Sequence, residues 1–118
     1  MKLATTPVPG IEIPWACDAC GEVIRDHGYL HVEPTDAMAY LAAHAQSGAQ
    51  STTGIASPPF RAKWKAHHES CHSDPAYWVE IGRVQTFAGL VDVTAELMEK
   101  TWLPGSTWRS ELLVAVGA

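Results

Sequence analysis

Three cysteines and two adjacent histidines have the types and spacing of metal ligands. Cys17 and Cys20 form a Cys-x-x-Cys pair followed by Gly21, and glycine permits backbone angles that let two thiolates point at one ion. Further along the chain, His68 and Cys71 repeat this spacing with an imidazole in place of the first thiol. Three thiolates and one imidazole form a closed tetrahedral set, which is typical of structural zinc sites. The sequence therefore predicts one structural Zn²⁺ with the ligands Cys17, Cys20, His68 and Cys71.

The choice of the histidine ligand depends on the segment that precedes it. Residues 60–67 alternate between apolar and mostly basic side chains, which indicates a strand. Because successive side chains of a strand point to opposite faces, His68 is expected on the face of Trp64 and His67 on the face of the lysines. We therefore predict His68 as the ligand, with His67 as the alternative and His72 as a third, weaker candidate.

A redox pair or a disulfide is the main alternative to metal binding by the cysteines. A redox Cys-x-x-Cys pair normally precedes a helix in a β-α-β unit, and the residues around Cys17 and Cys20 lack that pattern. An odd count of three cysteines also fits a disulfide framework poorly. The chain has neither an apolar leader at its start nor a run of about 20 apolar residues, which predicts a cytoplasmic protein without a membrane span.

Length and composition predict one domain with a modest core. The chain has 118 residues, of which 47% are hydrophobic, and a core of this size benefits from a metal that joins distant segments. At least four of the five tryptophans are expected in that core. The net charge of −5 disfavours broad attraction to nucleic acid and suits a protein partner.

The pattern of elements predicts an α+β fold, in which a zinc-ribbon or treble-clef-like β-module precedes a C-terminal helical hairpin. Residues 1–10 are expected to form a flexible tail, and residues 11–118 a single zinc-binding domain. Within this domain, residues 46–59 are small, polar or proline except for Ile55, and they predict a mobile loop. After Gln85 the apolar spacing becomes helical, which places the hairpin at residues 86–117. Strands are predicted at residues 11–15, 29–33, 60–67 and 77–81, and a further helix at residues 37–45.

Two catalytic interpretations are weaker than the structural one. His31-Val32-Glu33 resembles the His-x-Glu of zinc deaminases, but there the motif precedes the Cys-x-x-Cys pair and here it follows. His31 and Glu33 are therefore expected to face solvent or a partner. A metal-dependent nuclease of the His-Asn-His type, using His67 and His72, is the other alternative, although the chain contains no asparagine. We predict that the protein is not an enzyme.

A row of basic residues offers a different function. Arg61, Lys63 and Lys65 alternate along one face of the predicted strand and could contact phosphates or a partner. Lysines on an edge strand also serve to prevent aggregation without binding anything. The acidic net charge favours this second interpretation, so a nucleic-acid-associated regulator remains the alternative function.

The C-terminal half also carries motifs that resemble known proteins. Trp64-x-x-His67-His68-x-x-Cys71, residues 94–103 and Ser106-Thr107-Trp108 are similar to segments of small uncharacterised zinc-knuckle proteins of actinobacteria and their phages. The resemblance implies a cytoplasmic protein of a phage or mobile element, without an established activity. Two positions depart from that pattern: His72 replaces an aspartate, and Glu96 replaces a histidine. The sequence thus predicts a non-enzymatic, zinc-stabilised interaction or regulatory protein.

Overall fold

A computed structural model describes residues 1–45 and 60–117, so the mobile loop predicted at residues 46–59 lies outside the described part of the chain. The described residues form an α+β fold with three α-helices and two small antiparallel sheets, and the α+β class was predicted. In chain order, the elements are β1 (Lys2–Leu3), β2 (Trp15–Ala16), β3 (Gly28–Val32), α1 (Pro34–Ala45), β4 (Lys65–His68), β5 (Tyr77–Glu80), α2 (Phe87–Leu97) and α3 (Trp108–Ala115).

The larger sheet has the strand order β4-β3-β5, and both pairings are antiparallel. Leu30 of β3 lies opposite Ala66 of β4 and Val79 of β5, and all three are buried. Because side chains alternate along a strand, these residues define a core face, and their neighbours in sequence define the opposite face. His68 lies on the core face and His67 on the opposite face, in agreement with the predicted alternation.

Aromatic side chains form much of the core. Trp15, Trp64, Trp102 and Trp108 are buried, whereas Trp78 is 54% exposed, which confirms the prediction for four of the five tryptophans. Trp64 is fully buried, and its ring centre lies 4.8 Å from that of Trp108. Its indole N–H donates a hydrogen bond of 3.0 Å to Ser106 Oγ, so the polar atom of the buried ring is satisfied.

The first residues of the chain are attached to the domain. Lys2 and Leu3 pair with β2, and the amino group of Met1 lies 2.9 Å from Glu111 Oε1. This attachment differs from the flexible tail predicted for residues 1–10. The prediction weighed the prolines and Gly10, which are local signals, whereas β1 is held by pairing with a segment more than ten residues away.

Helix α2 buries only part of its apolar surface. Thr86 caps α2, because its hydroxyl accepts a hydrogen bond of 3.0 Å from the Gly89 N–H. The side chains that α2 buries are Leu90, Val93 and Leu97; Phe87, Val91 and Met98 remain 44%, 65% and 72% exposed. Apolar residues therefore outnumber the core positions on this helix. None of the described helices is long and apolar enough to cross a bilayer.

Gly105 marks a close approach between the short 3₁₀ turn Leu103–Gly105 and α1. A Cβ atom at this position would lie 2.1 Å from the carbonyl oxygen of Ala37. Because that neighbour is backbone, α1 would have to move, and Gly105→Ala should lower the free energy of unfolding by about 2–3 kcal/mol. Urea denaturation measures this loss. Gly82→Ala is the matched control, since a Cβ there meets no atom within 4 Å, and equal losses in the two variants would contradict the close approach.

Candidate metal centre

The Cys17–Cys20 segment forms a tight turn after β2. The Gly21 N–H donates a hydrogen bond of 2.9 Å to the carbonyl oxygen of Cys17, and the Cys17 N–H donates one of 2.8 Å to that of Glu22. Gly21 has φ +82°, in the left-handed region that favours glycine. The turn therefore requires the glycine that follows the second cysteine.

Hydrogen bonds join this turn to the end of β4. The Asp18 carboxylate accepts a bond of 2.7 Å from the Ala66 N–H, and the Asp18 N–H donates one of 2.7 Å to the Ala66 carbonyl oxygen. The His68 N–H lies 3.5 Å from Cys17 Sγ. Asp18 thus acts as a positioning residue that brings the two halves of the predicted ligand set together.

The four predicted ligands converge. The ligand atoms of Cys17, Cys20, His68 and Cys71 all lie within 4.8 Å of one another. His68 Nδ1 is 3.3 Å from Cys20 Sγ and 3.9 Å from Cys71 Sγ, although Cys20 and His68 are 48 positions apart. These residues can bind a metal ion together. His67, the predicted alternative, is not in this group.

Neighbouring backbone groups favour the metal-binding forms of His68 and Cys17. His68 Nε2 lies 3.2 Å from the carbonyl oxygen of Val23, so Nε2 carries the proton that it donates and the Nδ1 lone pair faces the sulfurs. Burial raises the pKa of the Cys17 thiol, but hydrogen bonds from the N–H groups of Cys20, His68 and Ala19 outweigh it and lower this pKa to about 6. These N–H groups therefore favour the thiolate form of Cys17, which is the form that binds a metal ion.

Cys71 is affected in the opposite direction. Desolvation, followed by the neighbouring sulfurs of Cys17 and Cys20, raises the pKa of the Cys71 thiol. Three sulfurs so close together cannot all carry negative charge without a counter-ion. A bound cation removes this repulsion, so the cluster is electrostatically suited to a metal.

The structure also brings together a second group that the sequence analysis missed. His31, His67 and His72 each place a ring nitrogen within 4.8 Å of the others. His31 was expected to face solvent or a partner; it is only 6% exposed, so it does not face solvent. The missed signal was the matching alternation of two strands: β3 and β4 pair in a register that puts His31 and His67 on the same face.

Burial favours the neutral forms of His31 and His67. Burial, followed by the nearby His72 and His67, lowers the pKa of His31 to about 4. The pKa of His67 is also lowered, mainly by burial and then by His72. A neutral imidazole has a free lone pair, which is the form that binds metal ions.

The basic row predicted along residues 60–67 is exposed, but only the end of this segment forms a strand. Arg61, Lys63 and Lys65 are exposed and the residues between them are buried, as the alternation predicts, but β4 begins only at Lys65. Arg61 Nε donates a hydrogen bond of 3.0 Å to the carbonyl oxygen of Pro104, and its guanidinium carbon lies 5.0 Å from the ring centre of Tyr40. Arg61 therefore points towards the helical part of the domain.

Comparison with protein-family models, with curated proteins and with solved structures yields no match to this chain. The geometry of its own residues therefore carries the functional assignment.

Proposed function

We propose that the chain is a non-enzymatic interaction protein that regulates a protein partner and is stabilised by one structural zinc ion. The zinc ligands are Cys17, Cys20, His68 and Cys71. An exposed apolar groove between α2 and α3 carries the interaction role. The resemblance to phage and mobile-element proteins supplies the setting in which such a regulator would act.

The choice of zinc rests on the ligand set and its spacing. Thiolates bind zinc at about 2.3 Å and imidazole at about 2.1 Å, so a tetrahedral site needs about 3.6 Å between sulfur and nitrogen. The distances of His68 Nδ1 to Cys20 Sγ and Cys71 Sγ, 3.3 and 3.9 Å, lie on either side of this value. Four protein ligands fill a tetrahedral ion and leave no position for water, which supports a structural role.

The groove between α2 and α3 has a volume of about 700 Å³ and a mostly apolar lining. Met98 and Leu113 line it and are 72% and 45% exposed. Val91 precedes Met98 by two helical turns and extends the apolar surface along α2. Exposed apolar surface of this kind is typical of sites where another protein binds.

The charge of the groove indicates the chemistry of the partner. Arg61 and Arg109 line it, and none of the residues that form its lining is acidic, whereas the whole chain has a net charge of −5. An acidic amphipathic helix fits best, because its apolar face covers Met98 and Leu113 while its carboxylates meet the arginines. Nucleic acid, the alternative ligand of Arg61, Lys63 and Lys65, fits less well because Lys63 and Lys65 do not line the groove and a duplex presents phosphates rather than an apolar face.

Photo-crosslinking from position 98 tests this function. A benzoylphenylalanine at Met98 should capture a protein from a lysate of the source organism, and the purified captured protein should then bind the chain directly. We expect Met98→Glu and Arg109→Glu each to weaken this binding by about tenfold or more, because one buries a charge and the other repels acidic groups. Isothermal titration calorimetry measures the change.

Met38→Glu is the matched control, since Met38 is a methionine 55% exposed on α1, outside the groove, and this substitution should leave binding unchanged. Equal binding by all three variants would overturn the groove as the interaction site. A salt-sensitive DNA complex that is lost in Lys63→Glu and Lys65→Glu would favour the nucleic-acid alternative instead.

A further inference from the structure

Three histidines from separate parts of the chain meet on the face of the larger sheet opposite the core. His31 comes from β3, His67 from β4 and His72 from the segment after the 3₁₀ turn Glu69–Cys71. His31 Nε2 lies 2.7 Å from His67 Nδ1, and the three ring centres are 4.3–4.9 Å apart. All three ring systems therefore surround one small volume.

This volume is poor in hydrogen-bond partners. His31 and His67 are 6% and 9% exposed, so water reaches them little. In residues 1–45 and 60–117, the only hydrogen bond to either ring is the one that the two rings share. This bond joins His31 Nε2 to His67 Nδ1, so the two nitrogens already converge on one point. A cation at that point would replace the hydrogen bond and accept a lone pair from each of the three rings.

The hydroxyl of Tyr29 orients the third ring. It donates a hydrogen bond of 2.6 Å to the carbonyl oxygen of His72 and lies 3.2 Å from His72 Nδ1. Since the hydroxyl has a single proton, Nδ1–H must be the donor to it, which leaves the lone pair of His72 on Nε2. A partner of this kind, which sets the tautomer of a ligating histidine, is characteristic of metal sites.

We propose that His31, His67 and His72 bind a second divalent transition-metal ion and leave at least one coordination position open. Imidazole ligands suit Zn²⁺, Co²⁺, Ni²⁺ or Cu²⁺ better than Mg²⁺ or Ca²⁺. Three protein ligands are the usual number for an ion that also holds a water molecule or another small ligand. Tetrahedral coordination requires the nitrogens of His31 and His67 to separate to roughly 3.3 Å, which a small rotation of either ring provides.

A cleft adjoins the cluster at His72, which is the side from which a small ligand would approach the ion. Tyr29 and His72 line this cleft, which has a volume of about 590 Å³ and also includes the exposed ring of Trp78. Its lining contains three carboxylates, from Glu69, Asp74 and Glu80. Negative charge repels a polyanion such as DNA, so this site fits a small ligand better than the substrate of a nuclease.

Native mass spectrometry of the full chain, loaded with Zn²⁺ or Co²⁺, tests the second site. The wild type should hold two ions, and His72→Gln should hold one, because the Cys17, Cys20, His68 and Cys71 site is unchanged. His27→Gln is the matched control with two ions, since the side chain of His27 is 83% exposed. Tyr29→Phe should weaken binding of the second ion by about tenfold to a hundredfold.

One ion in the wild type that His72→Gln also retains, or two ions in His72→Gln, would overturn the second site. His72→Gln is chosen over His31→Gln because His31 is buried and its substitution can prevent folding. His72 is partly exposed, so the His72→Gln variant still tests the second site if His31→Gln does not fold. A wild-type chain whose single ion is lost in His72→Gln but kept in Cys20→Ser would overturn the structural zinc site and leave this proposal standing. Failure of the second site and failure of the structural zinc site therefore give different results in this experiment.

Binding of azide tests whether the second ion has an open coordination position. With cobalt in both sites, azide should shift the visible absorption of the ion bound by histidine and leave the thiolate-to-cobalt absorption of the other site unchanged. His72→Gln should abolish the azide response. A wild-type spectrum that does not respond to azide would show that the second ion has no exchangeable ligand.

Discussion

Removal of the proposed structural zinc with excess EDTA is expected to unfold the part of the domain around the metal. Binding of zinc to sites of this kind contributes on the order of 10 kcal/mol, which is as much as the whole stability of a small domain. Without the ion, the turn at Cys17–Cys20 keeps only a few hydrogen bonds to β4. The expected result is loss of near-ultraviolet circular dichroism in parallel with release of zinc to a colorimetric indicator.

Two neighbouring histidines provide the control for this experiment. His68→Ala should reproduce the effect of EDTA, because His68 Nδ1 belongs to the structural ligand set. His67→Ala should keep that zinc, because its side chain lies on the other face of the sheet. A chain that releases all its zinc and retains a native circular dichroism spectrum would show that the metal has no structural role.

Trp64→Ala is expected to lower the free energy of unfolding more than Gly105→Ala or Trp78→Ala. Trp64 is fully buried between Trp108 and Tyr77, with ring centres 4.8 and 6.3 Å away. Its removal leaves a large cavity and deprives Ser106 Oγ of a donor, so the free energy of unfolding should fall by about 3–5 kcal/mol. Urea denaturation of the zinc-loaded protein measures the loss.

Trp78→Ala is the matched control, since it removes the same side chain from a position that is 54% exposed. Its cost should be about 1 kcal/mol or less. If Trp64→Ala does not fold, Trp64→Phe, which keeps most of the ring volume, should fold with a smaller loss. Equal losses for Trp64→Ala and Trp78→Ala would contradict the core position of Trp64.

Much of the candidate site was predictable because its signals are local. The spacing of Cys17 and Cys20 with Gly21 predicts the turn, and the structure shows the left-handed backbone that this glycine provides. Alternation before His68 predicts which of two adjacent histidines joins the sulfurs. Each of these signals spans only a few residues, so no knowledge of chain pairing was needed.

The sequence alone does not show which apolar residues of α2 and α3 are buried and which are exposed. Helical spacing alone places Phe87, Val91 and Met98 near the positions that are buried, so the spacing does not separate the exposed from the buried side chains. The choice of Leu90, Val93 and Leu97 depends on how the helix is rotated against the rest of the domain. That rotation is decided by packing with distant residues, and the side chains left outside form the α2–α3 groove.

The sequence by itself determined the ligand types, the Cys-x-x-Cys turn and the alternation of each strand, since chain geometry dictates these over a few residues. Only the tertiary structure decided the register between β3 and β4, which brings His31 beside His67. The physical reason is that strand pairing joins segments more than 30 residues apart, and a shift of one residue would move every side chain to the other face. The second histidine cluster therefore emerges from the fold.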